Sequence, residues 1–84
     1  MTKHTPVWKK EIYPHLKRMG NIGFWRNRHT SGFVEISKIE DGAPGRSRGK
    51  YIIGINTPKH LDTSFAKTLE NAKSIAKKYM KLEM

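Results

Sequence analysis

With 84 residues and no cysteine, the chain has the length of a single domain, and disulfides, thiolate catalysis and cysteine-based zinc sites are excluded. Seventeen Lys and Arg against seven Asp and Glu leave a formal charge of +10, a balance that favours a polyanionic partner. A core this small hardly encloses a substrate cavity of roughly 300 Å³ or more, which argues against an enzyme.

One domain over residues 1–84 is expected, with residues 1–4 flexible. Met1-Thr2-Lys3-His4 opens no apolar run of signal-peptide length, and no stretch approaches the ~20 apolar residues of a membrane span. A cytoplasmic protein without membrane attachment is expected. From Thr5 to Met19, Trp8, Ile12 and Leu16 recur at i, i+4, i+8, and Thr5-Pro6 has the form of an N-cap and first-turn proline. Pro14 removes a backbone donor inside that pattern, so the segment reads as a kinked helix or two short pieces, ended by Gly20.

Three runs rich in β-branched and aromatic residues follow: Ile22 to Arg28, Phe33 to Ile39 and Lys50 to Asn56. In the second, Val34 and Ile36 point one way and Phe33, Glu35 and Ser37 the other. In the third, Tyr51, Ile53 and Ile55 share a side, with Ile52 and Gly54 opposite. The turn formers His29-Thr30-Ser31-Gly32 and the longer Glu40 to Gly49 segment separate the runs. From Thr68 onward, Leu69, Ala72, Ile75, Ala76 and Tyr79 form one helical stripe; Thr68 is the expected N-cap, with Asp62 as an earlier alternative. The fold expected is α+β, a three-stranded antiparallel sheet packed by a C-terminal helix and preceded by a short or kinked helical segment.

Three groups of residues bear on function. Lys73, Lys77 and Lys81, flanked by Lys78, form a basic ridge on the outer side of the last helix, either a rail for phosphates or an ordinary solvated face. In Gly42-Ala43-Pro44-Gly45-Arg46-Ser47-Arg48-Gly49-Lys50, glycines surround Arg46, Arg48 and Lys50, and a guanidinium grips phosphate through two parallel hydrogen bonds. This stretch is one residue short of a nucleotide-binding P-loop and is followed by Tyr51 and a strand, which rules that motif out. In Phe24-Trp25-Arg26-Asn27-Arg28, Trp25 either stacks on an unpaired base beside Arg26 and Arg28, if Phe24 is core, or joins the core under Trp8. His4, His15, His29 and His60 lack metal-ligand spacing, so neither metal nor cofactor is expected. His29 and His60 are the residues that acid–base cleavage of RNA would require.

The element order and Lys67-Thr68-Leu69-Glu70-Asn71-Ala72-Lys73 are similar to the Lys-Lys-x-Ala-Lys stretch and layout of double-stranded-RNA-binding domains. The chain departs from them in Thr68 and Glu70, in lacking a Gly-Pro-x-His loop, and in carrying Pro14. In size, charge and lack of cysteine the whole chain resembles the small lysine-rich early proteins of T-even-type bacteriophages, most specifically phage inhibitors of the endoribonuclease toxin ToxN. That resemblance implies a counter-defence protein in the host cytoplasm that binds RNA and neutralises an RNA-cutting toxin. The expectation is a non-enzymatic nucleic-acid-binding protein, RNA ahead of DNA, that contacts phosphates through Arg26, Arg28, Arg46, Arg48, Lys50, Lys73, Lys77 and Lys81. The alternative is an inhibitor that covers an acidic protein without nucleic acid.

Overall fold

In the computed structural model, which describes residues 7–82, Pro14 does not kink a long helix but starts a short one. Tyr13 before it holds φ −120° and ψ 105°, the extended geometry that a following proline imposes, and Pro14 takes the first helical position, where its missing N–H costs nothing. Trp8 and Ile12 therefore never share a helix face with Leu16. The chain runs β1 (Trp8–Glu11), α1 (Pro14–Arg18), β2 (Asn21–Asn27), β3 (Phe33–Lys38), β4 (Tyr51–Asn56), β5 (Leu61–Ala66) and α2 (Leu69–Leu82). The Thr5-Pro6 cap and the flexible residues 1–4 expected from the sequence lie outside the described residues.

The α+β class and the C-terminal helix stand, but the sheet has five strands rather than three. They follow one another as an antiparallel meander in the order β1-β2-β3-β4-β5, so each hydrogen-bonded neighbour is also the neighbour in sequence. Both additional strands are edges. β1 is Trp-Lys-Lys-Glu and β5 is Leu-Asp-Thr-Ser-Phe-Ala, whose polar residues are tolerable on an edge, where lysine also discourages further pairing. Asp62 is thus a strand residue, and the helix cap is Thr68: its Oγ1 accepts from the Asn71 N–H at 3.1 Å.

Register sorts the side chains, because residues paired across strands point the same way. Trp25, Val34, Ile55 and Asp62 form one row, and Gly23, Ile36, Ile53 and Ser64 the next. On this side Val34, Ile36 and Ile53 have no exposed surface, and α2 lies across them. Ala72 and Ala76 are the fully buried helix positions, small enough to let the helix settle close to the sheet. The β1 edge is tied in by the Trp8 indole, which donates to the Met80 carbonyl at 2.8 Å and so satisfies one of the free carbonyls at the helix end. A register shift between Asn21 and Gly23 breaks the alternation at the start of β2.

Candidate nucleic-acid interface

The segment between β3 and β4 is a chain of tight turns rather than an open loop. Backbone N–H groups of Ala43, Arg46, Arg48 and Gly49 donate to the carbonyls three residues earlier, at 3.1, 3.2, 2.9 and 3.3 Å. Gly42 and Gly45 supply the positive φ angles, +80° and +89°, that such a path needs. Its base is closed by Ile39 N–H donating to Lys50 O at 2.8 Å and Lys50 N–H donating to Ala66 O at 3.0 Å. The arginines consequently leave in fixed directions. Arg46 pairs with the exposed Asp41, and the Arg48 guanidinium sits 5.4 Å from the Phe65 ring centre.

These turns stand at the end of the sheet where β3 stops, β4 starts and α1 leads into β2. Together they frame a shallow cleft of about 560 Å³ whose lining includes Lys17, Arg18, Lys38, Arg46 and Lys50, with Glu40 and Asp41 as its acids. A neighbouring depression shares Arg46 and Lys50 with the cleft and adds Lys67. The next shares Lys67 and adds Arg48 and Asn71, and reaches Ser74 on α2. A further, nearly flat hollow on α2 shares Ser74 and is lined by Lys77, Lys78 and Lys81. Adjoining hollows share residues, so the ten cations line a track of successive shallow hollows from α1 to the outer side of α2. Sequence spacing identifies the α2 and loop members. Lys17, Arg18 and Lys38 go unrecognised as members because only the meander brings residues 17, 38 and 50 to one end.

The residues expected from the sequence divide between surfaces. Arg46, Arg48, Lys50, Lys77 and Lys81 lie on the track, and Lys73 is exposed one helical turn before Lys77. Arg26 does not join them: its side chain points to the sheet side away from α2, where Nε donates to Glu11 Oε1 at 2.8 Å. Tyr13 Oη donates to the same oxygen at 2.8 Å, and these two donors hold the Glu11 carboxyl below its ordinary value. Arg28 follows β2 at the opposite end of the sheet and is exposed. The eight cations therefore do not share one face.

Trp25 occupies the reverse of the side that base stacking required. It faces α2 and packs against the core with Trp8, its ring lying over Gly23, where an added Cβ would come within 2.4 Å of it. Phe24 takes the other side, only 7% exposed beneath Tyr13 and Phe33. The register shift at the start of β2 does not alter this, because Trp25 is paired with Val34 and therefore points with it.

His60 stands edge-on to the Tyr79 ring at 5.6 Å, while His29 is exposed in the β2–β3 turn, whose backbone N–H groups at 29 and 30 donate to Asn27 Oδ1. Among the described residues no three His, Cys, Asp or Glu side chains gather as a metal site, and no helix is long and apolar enough to cross a membrane. Compared with protein-family models, curated proteins and solved structures, the chain matches none.

Proposed function

We propose that the chain is a non-enzymatic nucleic-acid-binding protein, RNA ahead of DNA, that holds the phosphate backbone along the basic track. The observation that carries this reading is the continuity of the ten cations through shared hollows, with Glu40 and Asp41 as the acids among them. A solvated lysine face needs neither concavity nor convergence from five separate segments. Phosphate contacts position a polymer without reading its sequence, so this term of binding is weakly specific.

Salt dependence is the direct test. Fluorescence anisotropy with matched RNA and DNA should show log affinity falling linearly with log salt. Arg46→Ala with Arg48→Ala should reduce that slope by about one to two units. Absence of binding at low salt would refute the proposal.

The resemblance to phage inhibitors of ToxN extends the proposal to a partner: the track holds RNA while the protein blocks a host endoribonuclease toxin. On that reading, nuclease treatment releases the toxin from the immobilised chain. A complex that survives nuclease would instead identify an inhibitor using the track to cover an acidic protein.

A further inference from the structure

Glu35 pairs with none of the described cations. It lies on the central strand β3, on the sheet side away from α2, and forms no hydrogen bond or ion pair with any described residue. Burial alone pushes its carboxyl above the ordinary value. Asn21 Nδ2 is the one buried side-chain polar atom without a partner among the described residues, so the Glu35 oxygens remain reachable from solvent. Glu35 lies over Gly54, where an added Cβ would be 3.5 Å from Oε1, so the carboxylate rests low on the sheet in the space the missing side chain leaves.

The surroundings are those of a stacking platform. Phe33 is half-buried beside Glu35 on the same strand face and is backed by Phe24, ring centres 5.0 Å apart and planes 17° from parallel. Toward the other edge, Ile52 pairs with Phe65, also half-buried, over which Arg48 sits. Arg26 lies 5.3 Å from the Phe24 ring. The face thus has aromatic rings on both sides of an acceptor that no described donor engages, with Arg26 by the Phe24 ring and Arg48 by the Phe65 ring. Phosphate is repelled by such a centre; a base edge rich in donors is not.

We propose that this sheet face binds an unpaired base of single-stranded nucleic acid, with Glu35 accepting from guanine, Phe33 and Phe65 stacking on bases, and Arg26 and Arg48 holding phosphates. A carboxylate is acceptor-only, and guanine alone offers two adjacent donors, N1–H and the N2 amino group, to its two oxygens. Adenine and cytosine set one amino group beside a ring acceptor, and uracil sets N3–H between two carbonyls, so each turns an acceptor toward the carboxylate. In a duplex these edges are already paired, which restricts the site to single strands. The inference rests on the nucleic-acid reading, deepens it to a base, and uses Arg48 as the bridge between track and platform.

The test is anisotropy of the full chain with labelled single-stranded RNA octamers, all-uridine, with one central guanosine, and with inosine there, alongside an RNA duplex. Guanosine should tighten binding about tenfold, corresponding to about 1.4 kcal/mol, and inosine, which lacks the N2 amino group, should fall between. Glu35→Gln should abolish the preference while leaving all-uridine binding equal or tighter, a pattern that a merely folding role does not produce. Phe33→Ala and Phe65→Ala should each weaken single-strand binding about fivefold or more while sparing the duplex. Equal binding of the octamers by the unaltered chain, or a preference that survives Glu35→Gln, would overturn the base site and leave the phosphate track standing. Failure of every nucleic acid to bind would overturn both. A stable dimer in sedimentation that Phe33→Ala dissociates would assign the face to a second copy and overturn the base site.

Discussion

Replacing both Lys38 and Lys50 by glutamate is expected to weaken RNA binding by about a hundredfold at about 0.1 M salt. The two residues end β3 and precede β4, next to each other in the meander, and both line the cleft that Lys17, Arg18 and Arg46 complete. On single strands each phosphate contact contributes about 0.7 to the salt slope, equivalent to a factor of about five in affinity at that concentration. Losing two contacts therefore costs about 25-fold, which Lys38→Ala with Lys50→Ala should show alone, and the introduced acids repel the backbone on top of that. Both side chains are exposed, so the variants should unfold at the temperature of the parent chain. The contrast that locates the track is a matched reversal at Arg28, at the far end of the sheet, which should change affinity less than threefold. If the two reversals weaken binding equally, the charge acts as a diffuse cloud and not as a track.

The sequence reveals the fold where local chemistry and tertiary burial agree. Val34, Ile36, Ile53 and Ile55 recur at every second position of their strands, and the structure buries all four. The α2 stripe is equally plain, since Leu69, Ala72, Ile75, Ala76 and Tyr79 meet at helical spacing and Thr68 caps it as its side chain predicts. The edge strands defeat such reading. β5 carries Asp62, Thr63 and Ser64, residues of turns and caps, and is a strand because β4 supplies hydrogen-bond partners and Tyr79 Oη donates to Asp62 Oδ2 at 2.7 Å. β1 is masked by the accidental spacing of Trp8, Ile12 and Leu16 and held by a bond to a carbonyl 72 residues away. The same reason hides half of the candidate site. Arg46, Arg48 and Lys50 announce themselves by clustering, whereas Lys17 and Lys38 reach them only through the meander. Glu35 looks like any outward strand residue until its lack of an ion pair with the described residues is visible.

Ile53→Ala is expected to cost about 2–5 kcal/mol, among the largest stability effects of a single truncation in this chain. Ile53 has no exposed surface, sits in β4 between β3 and β5, pairs with Ile36, and belongs to the cluster that α2 covers through Ala72 and Ala76. Alanines on the helix side have no longer side chains with which to fill the cavity, so little of the lost packing is recovered by collapse. A chain of this length holds roughly 4–12 kcal/mol of stability in total, so the loss takes up a large part of it. Urea unfolding should show a midpoint lower by about 2 M or more, with the slope unchanged if the transition remains two-state. Ile53→Val keeps the β-branch and removes one methyl, and should cost about 0.5–1.5 kcal/mol. The pair also tests the direction of the sheet. Ile52, one residue away on the face proposed for nucleic acid, is half-buried, and Ile52→Ala should cost less than half as much as Ile53→Ala, because α2 packs on β4 from the other side.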